Sequence, residues 1–211
     1  RAINAWYNPP QTIFSNTLTQ IINYTMLFVT NISWTAGFVN INSQRLQNDL
    51  RESANTDILT GLPNRRAALA FLKNEFARQS RNEDYFFSIL IIDLDLFKEI
   101  NDQFGHDTGD FVLIKMATIF RDMIRTQDHV ARWGGDEFII IMPQTRSCEA
   151  YALGKRLIEH INLGKFLFNQ TAQKWTISIG VSESAGCKDI DDILKKADIA
   201  LYQSKHTRNA I

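Results

Sequence analysis

The sequence predicts an α/β fold, a central sheet covered by helices, and three observations carry that prediction. Helical and extended patterns alternate from Asp57 to the end of the chain. The run YFFSILIIDLDLF (85–97) is almost continuously apolar, as in a strand buried on both faces. EFIIIMP (137–143) repeats that texture and is stopped by Pro143. With 211 residues, 45% of them hydrophobic, the chain has enough apolar matter for one sizeable core plus an appendage.

The appendage comes first. After Arg1 no Asp, Glu, Lys or Arg occurs until Arg45, so 1–44 is an uncharged segment. Within it, residues 21–40 are long enough for a bilayer, which about twenty helical residues span. Asn23, Thr25, Thr30, Asn31, Ser33 and Thr35 weaken that reading, because each needs a polar partner in lipid. Arg45 and Arg51 follow at once, as on a cytoplasmic flank, and tip the expectation towards a transmembrane helix over a soluble uncharged one. No signal-peptide pattern is evident, and a start at Arg is expected of a fragment of something longer. Residues 45–56 read as a connecting helix, with Leu46 and Leu50 on one face, able to pair with its copy in a dimer.

From 57 to 211 the texture is that of a globular domain. DILTGLPNRR is a turn around Gly61 and Pro63, after which Asn64 can cap the helix RRAALAFLKNEFARQ. The strand at 85–97 precedes a helical run over 109–125; then come the strand at 137–143, a helix over 148–161, a strand over 175–184 and an amphipathic helix over 189–206. Lys+Arg and Asp+Glu are both 23, so no bulk positive field exists to hold nucleic acid. Cys148 and Cys187 form no CxxC or Cys/His cluster, which excludes a structural zinc signature and fits a reducing compartment.

Two acidic stretches stand out against this scaffold. Asp93 and Asp95 lie where the apolar strand runs out, two residues apart on one face, and ligands in α/β folds bind at strand ends. Adjacent buried carboxylates are costly unless paired or metal-bound. Capping of a helix near Phe97 explains either Asp equally well when taken alone. The second stretch, ARWGGDEFII (131–140), puts Gly134 and Gly135 in a hairpin turn and delivers Asp136 and Glu137 beside it. Bare backbone there admits a bulky ligand. Carboxylates at two strand ends suit divalent cations holding a triphosphate, since Mg²⁺ prefers a few carboxylates plus phosphate oxygens.

DILTGLPNRR, DLDLFKEINDQFGHDTGD and RWGGDEF, three separated motifs in the family's order along the chain, resemble the GGDEF family of diguanylate cyclases over about residues 57–211. The resemblance implies a mixed central β-sheet flanked by helices, related to nucleotidyl cyclase and polymerase palm domains and here preceded by the N-terminal helical segment. It implies condensation of two GTP into cyclic di-GMP with release of pyrophosphate. By position, Asp93 and Asp136 correspond to metal-binding carboxylates, helped by the carbonyl of Leu94, and Glu137 to a metal ligand or to the group that deprotonates the ribose 3′-hydroxyl. Asn101 and Asp110 correspond to the guanine-reading pair, Gly134 and Gly135 to the backbone beside the substrate, and Lys98, Lys205 and Arg208 to phosphate contacts. Two Mg²⁺ or Mn²⁺ per active site and an antiparallel homodimer are implied with them. RTQD (125–128) matches the spacing of the RxxD product-inhibition site, with Arg125 and Asp128; an i,i+3 surface ion pair is the plain alternative. SKHTRN departs from the family by lacking a Gly and being one residue shorter, which leaves the register of Arg208 open. A bacterial inner membrane location with the catalytic domain in the cytoplasm is expected, or the cytoplasm if 21–40 does not span. A non-catalytic receptor for GTP or cyclic di-GMP and a cyclase for another purine nucleotide are the competing functions; retention of both hairpin acids disfavours the first.

Overall fold

The computed structural model describes residues 17–53, 55–82, 84–164, 166–168 and 171–211. It divides into two compact units, 1–53 and 54–211.

The described residues of the first unit form a single helix, α1 (Thr17–Ser53, 37 residues), in place of two separate helical segments. The stretch contains no proline, and several of its polar side chains bond back onto the helix. Thr25 Oγ1 donates to the Ile21 carbonyl at 2.8 Å, Asn31 Nδ2 to that of Leu27 at 2.8 Å, and Thr35 Oγ1 to that of Asn31 at 2.7 Å. The membrane expectation is not supported: among the described residues no helix is long and apolar enough to cross a bilayer. The Asn, Thr and Ser residues interspersed over 23–35 dilute the apolar run below what a span requires.

The second unit is built on a four-stranded sheet, β1 (Phe87–Leu94), β2 (His129–Gly134), β3 (Glu137–Pro143) and β6 (Ile177–Glu183), in the order β2-β3-β1-β6. Every neighbouring pair is antiparallel. A separate two-stranded ribbon, β4 (Phe166–Phe168) with β5 (Thr171–Gln173), went unassigned in the sequence because three-residue strands are too short to show a period.

Both faces of the sheet are covered, which is why β1 reads as unbroken apolar sequence. Ile89, Ile91, Ile139 and Ile141 pack with Ala68 and Leu72 of α2 (Arg65–Gln79) and with Ile193, Ala197 and Leu201 of α6 (Ile190–Thr207). Leu90, Ile92, Phe138 and Ile140 pack on the other side with Val112, Met116 and Phe120 of α4 (His106–Met123) and Leu153 and Leu157 of α5 (Ser147–Leu163). By the strand alternation, Asp93 and Glu137 therefore belong to the α2/α6 face. Asn64 caps α2 as its sequence suggests, its side chain accepting from the N–H groups of Arg66 and Ala67. The helical run expected from 109 starts earlier, at His106, and a short helix α3 (Phe97–Phe104) precedes it. Gly105, at φ 85°, separates the two in a conformation that other residues adopt at a cost.

Candidate active site

Antiparallel pairing brings the two acidic stretches together. Asp93 stands opposite Glu137 on β3 and opposite Ser178 on β6, so the end of β1 lies between the hairpin and the start of β6. From the covering helix, Lys205 Nζ donates to Asp93 Oδ2 at 2.8 Å. Burial pushes the Asp93 carboxyl up; the Lys205 ammonium opposes the shift, and the nearby charges of Asp136 and Asp95 add to it. Glu137 is likewise raised, first by burial and then by the charge of Asp93. Burial alone would lower Lys205, but its contact with Asp93 and the charges of Glu137 and Asp136 outweigh it, and its pKa is raised. Three carboxylates thus share one neighbouring ammonium, an arrangement with negative charge to spare.

The hairpin is braced by two residues whose role the sequence reading missed. Arg132 donates from Nε and Nη2 to the Gly135 carbonyl at 3.0 and 2.7 Å, and from Nη1 to both oxygens of Asp57 at 3.1 Å. The ladder skips a residue between Arg132 and Gly134, Gly134 pairs with Glu137, and Gly135 adopts φ 34° at the tip. Asp57 is fixed by its own turn, accepting from the backbone N–H and hydroxyl of Thr60. The signal that was available is an Asp opening DILTG and an Arg opening RWGGDEF, but nothing local says that they meet.

The turn between β1 and α3 provides backbone donors. Leu96 sits at φ 59°, ψ 26°, and no side chain caps α3, so neither Asp93 nor Asp95 serves as the cap that the sequence allowed. An uncapped helix start leaves N–H groups for an anion. Lys98 is exposed in the first turn of α3, and Arg208 is exposed just past the end of α6, its N–H bonded to the Ser204 carbonyl. Asn101 on α3 abuts Gly109 on α4, beside the exposed Asp110. A Cβ on Gly109 would lie 1.9 Å from Asn101 Oδ1. Gly109→Ala is therefore expected to swing the Asn101 amide aside and, where Asn101 reads guanine as the resemblance implies, to raise the KM for GTP about tenfold. Stability should change by less than about 1 kcal/mol, because the helix gains from Ala. Paired KM and melting measurements check this, and an unchanged KM would remove Asn101 from base reading.

At the opposite end of the sheet, Asp128 is buried and accepts the Arg125 N–H on Oδ2 at 3.0 Å, so RTQD forms a local turn and no surface ion pair of side chains. Its Oδ1 is buried without a hydrogen-bond partner, and burial pushes its carboxyl up. Arg125 and Asp128 line a cavity of about 190 Å³ with Met123, Met142, Glu149 and Arg156. Arg156, 28 residues beyond Asp128 in sequence, is brought there only by the fold of α5.

Among the described residues no three His, Cys, Asp or Glu side chains form a metal cage on their own. The donor set nonetheless suits a hard dication that keeps phosphate oxygens among its ligands: the Asp93 and Asp136 carboxylates are near enough for their charges to interact, in excess of the available cations, and the Leu94 carbonyl is the further donor that the resemblance implies.

The family model described as "Diguanylate cyclase, GGDEF domain" matches residues 54–210. The response regulator PleD of Caulobacter vibrioides is 41% identical over 173 residues, covering 79% of this chain and 38% of that protein. Diguanylate cyclase DgcM of Escherichia coli is 35% identical over 164 residues, covering 77% of this chain and 39% of its own. The chain thus spans less than half the length of these relatives. Among solved structures, the coiled coil and GGDEF domain of DgcB from Caulobacter crescentus, in complex with c-di-GMP, superimposes with a TM-score of 0.77 at 26% identity. It covers 87% of this chain and 99% of the other. Diguanylate cyclase SiaD of Pseudomonas aeruginosa, with its activator SiaC, gives 0.72 at 30% identity over 92% of this chain and 75% of the other. With the acidic hairpin and its opposing strand end in one antiparallel sheet, with a lysine of α6 bonded to that strand end, and with these matches, the chain belongs to the GGDEF family of diguanylate cyclases.

Proposed function

We propose that the protein condenses two GTP into cyclic di-GMP and two pyrophosphates. The observation that carries this reading is the convergence of Asp93 and Glu137 in one strand register, with Asp136 at the adjoining turn and Lys205 bonded to Asp93. Asp93, Asp136 and the Leu94 carbonyl would hold Mg²⁺ or Mn²⁺, two ions per site. Bound there, they lower the pKa of the ribose 3′-hydroxyl and neutralise charge at the α-phosphate and leaving pyrophosphate. Glu137, with its raised pKa, is suited to take the 3′-hydroxyl proton or to complete the metal's ligands. Lys98, Lys205, Arg208 and the backbone at the start of α3 hold the triphosphate, the bare backbone of Gly134 and Gly135 admits the nucleotide, and Asn101 and Asp110 read guanine. An Asn amide and a carboxylate match the donors and acceptors on its edge.

One domain binds one GTP, so each 3′-hydroxyl attacks an α-phosphate held by a second copy, in an antiparallel homodimer. The extended α1 offers a means of setting that geometry. A domain that consumes GTP is expected to face the bacterial cytoplasm. The test is incubation with GTP and Mg²⁺ at several protein concentrations, with chromatographic detection of cyclic di-GMP. A specific rate that rises with concentration supports a cyclase working as a dimer; absence of product with tight cyclic di-GMP binding would replace it by the receptor reading.

Product feedback is assigned to Arg125 and Asp128. The buried, unpartnered Asp128 Oδ1 and the cavity shared with Arg156 support it. Arg125→Ala is expected to raise the cyclic di-GMP concentration for half-inhibition at least about tenfold, as loss of a charge-assisted fork does. The initial rate should change little. Progress curves with added product measure both, and unaltered inhibition would reject the assignment.

A further inference from the structure

Asp95 resembles Asp93 in type and position, yet both its oxygens are committed inside the fold. Oδ1 accepts from Ser178 Oγ at 2.7 Å, and Oδ2 accepts from Thr176 Oγ1 at 2.7 Å and from the backbone N–H of Asn209 at 3.0 Å. The Asp95 N–H donates to the Thr176 carbonyl at 3.0 Å. One carboxylate, 8% exposed, therefore joins three segments: the turn leading into α3, the lead-in to β6, and the chain leaving α6. The first leads into α3, with Lys98 and the uncapped helix start; the third begins at Arg208, directly after the last turn of α6 that carries Lys205. Arg208 and Asn209 are consecutive residues at positive φ, 53° and 50°, a conformation that needs outside support when neither is glycine. Asn209 N–H on Asp95 and Ile179 N–H on the Ala210 carbonyl, at 2.9 Å, provide that support.

We propose that Asp95 is a positioning residue of the cyclase: its carboxylate fixes the α6 terminus, with Lys205 and Arg208, against the turn that begins α3, and so sets the spacing of the triphosphate site. This rests on the cyclase reading above, and it accounts for how a terminus without the family's glycine is held in place.

The test uses the full chain and 3′-deoxy-GTP with Mg²⁺, a ligand that cannot cyclise, with calorimetric affinities alongside kcat and KM for GTP. Asp95→Asn can keep all three contacts, its amide oxygen facing Thr176 and Asn209 and its NH₂ donating to Ser178 Oγ. Its affinity is expected within about twofold of wild type, because no hydrogen bond is lost. Asp95→Ala is expected to bind roughly tenfold more weakly and to raise KM more than it lowers kcat. Thr176→Val removes one tie and should move affinity the same way by about threefold; it gives the readout if the Ala variant does not fold. Asp95→Asn as weak as Asp95→Ala would show that the charge itself acts, and unchanged affinity in a folded Asp95→Ala, or in Thr176→Val where Asp95→Ala does not fold, would show that the ties set nothing. Either result overturns the proposal. A wild type that binds 3′-deoxy-GTP yet forms no cyclic di-GMP would sink the cyclase reading while leaving these affinities to decide the role of Asp95.

Discussion

Asp93→Ala is expected to reduce cyclic di-GMP formation by a factor on the order of 10³ or more, the scale on which a lost electrostatic stabiliser acts at a reacting phosphate. Its thermal unfolding should remain cooperative and no less stable than wild type at neutral pH. The carboxylate is buried and its pKa is raised, so ionising it costs the folded state more than the unfolded one. In the interval between its ordinary and raised values the native state binds more protons than the unfolded state. Wild-type stability accordingly falls as pH rises through that window, and Asp93→Ala loses this part of the fall. Lys205, whose side chain is 43% exposed, can turn to water when its partner is removed. Product chromatography and melting curves across mildly acidic to neutral pH check both halves. Turnover close to wild type would remove Asp93 from the metal site, and a collapsed fold would show that its bond to Lys205 is structural.

What the sequence reveals of this site follows from what is local. Continuous apolar runs mark β1 and β3 as buried on both faces, and carboxylates where those runs end mark Asp93, Asp136 and Glu137. The brace of Arg132 on Asp57 joins residues 75 apart, and Asn209 reaches Asp95 across 114. Neither contact leaves a periodic trace, because only the fold brings the partners together. Asp95 shows the limit most clearly: in sequence it matches Asp93, and three donors from distant segments give it a different role. Arg156 enters the Asp128 cavity for the same non-local reason. In the N-terminal segment, length and lack of charge suggested a span, while the Asn, Thr and Ser residues spread through it leave the described helix less apolar than a span requires.

Gly180→Ala is expected to destabilise the catalytic unit by about 3 kcal/mol, the upper range for forcing a methyl into a packed interior, and to lower its melting midpoint by roughly 10 °C. A Cβ on Gly180 would lie 2.1 Å from the Ala197 carbonyl oxygen and 2.5 Å from the Leu201 nitrogen. Those atoms belong to the backbone of α6, so relief requires the helix itself to move off β6. Gly109→Ala makes the same formal change but meets a side-chain amide that can rotate, which is why one substitution strikes stability and the other ligand affinity. Urea titration with the melting curve measures the loss, and a value below about 1 kcal/mol, typical of a tolerated surface change, would mean that α6 lies farther from β6 than described. Because α6 also carries Lys205, bonded to Asp93 at 2.8 Å, the fraction of Gly180→Ala that remains folded at low temperature should bind GTP more weakly than wild type. The close approach that a strand glycine allows is thus a condition of both the core on that face and the lysine at the end of the sheet.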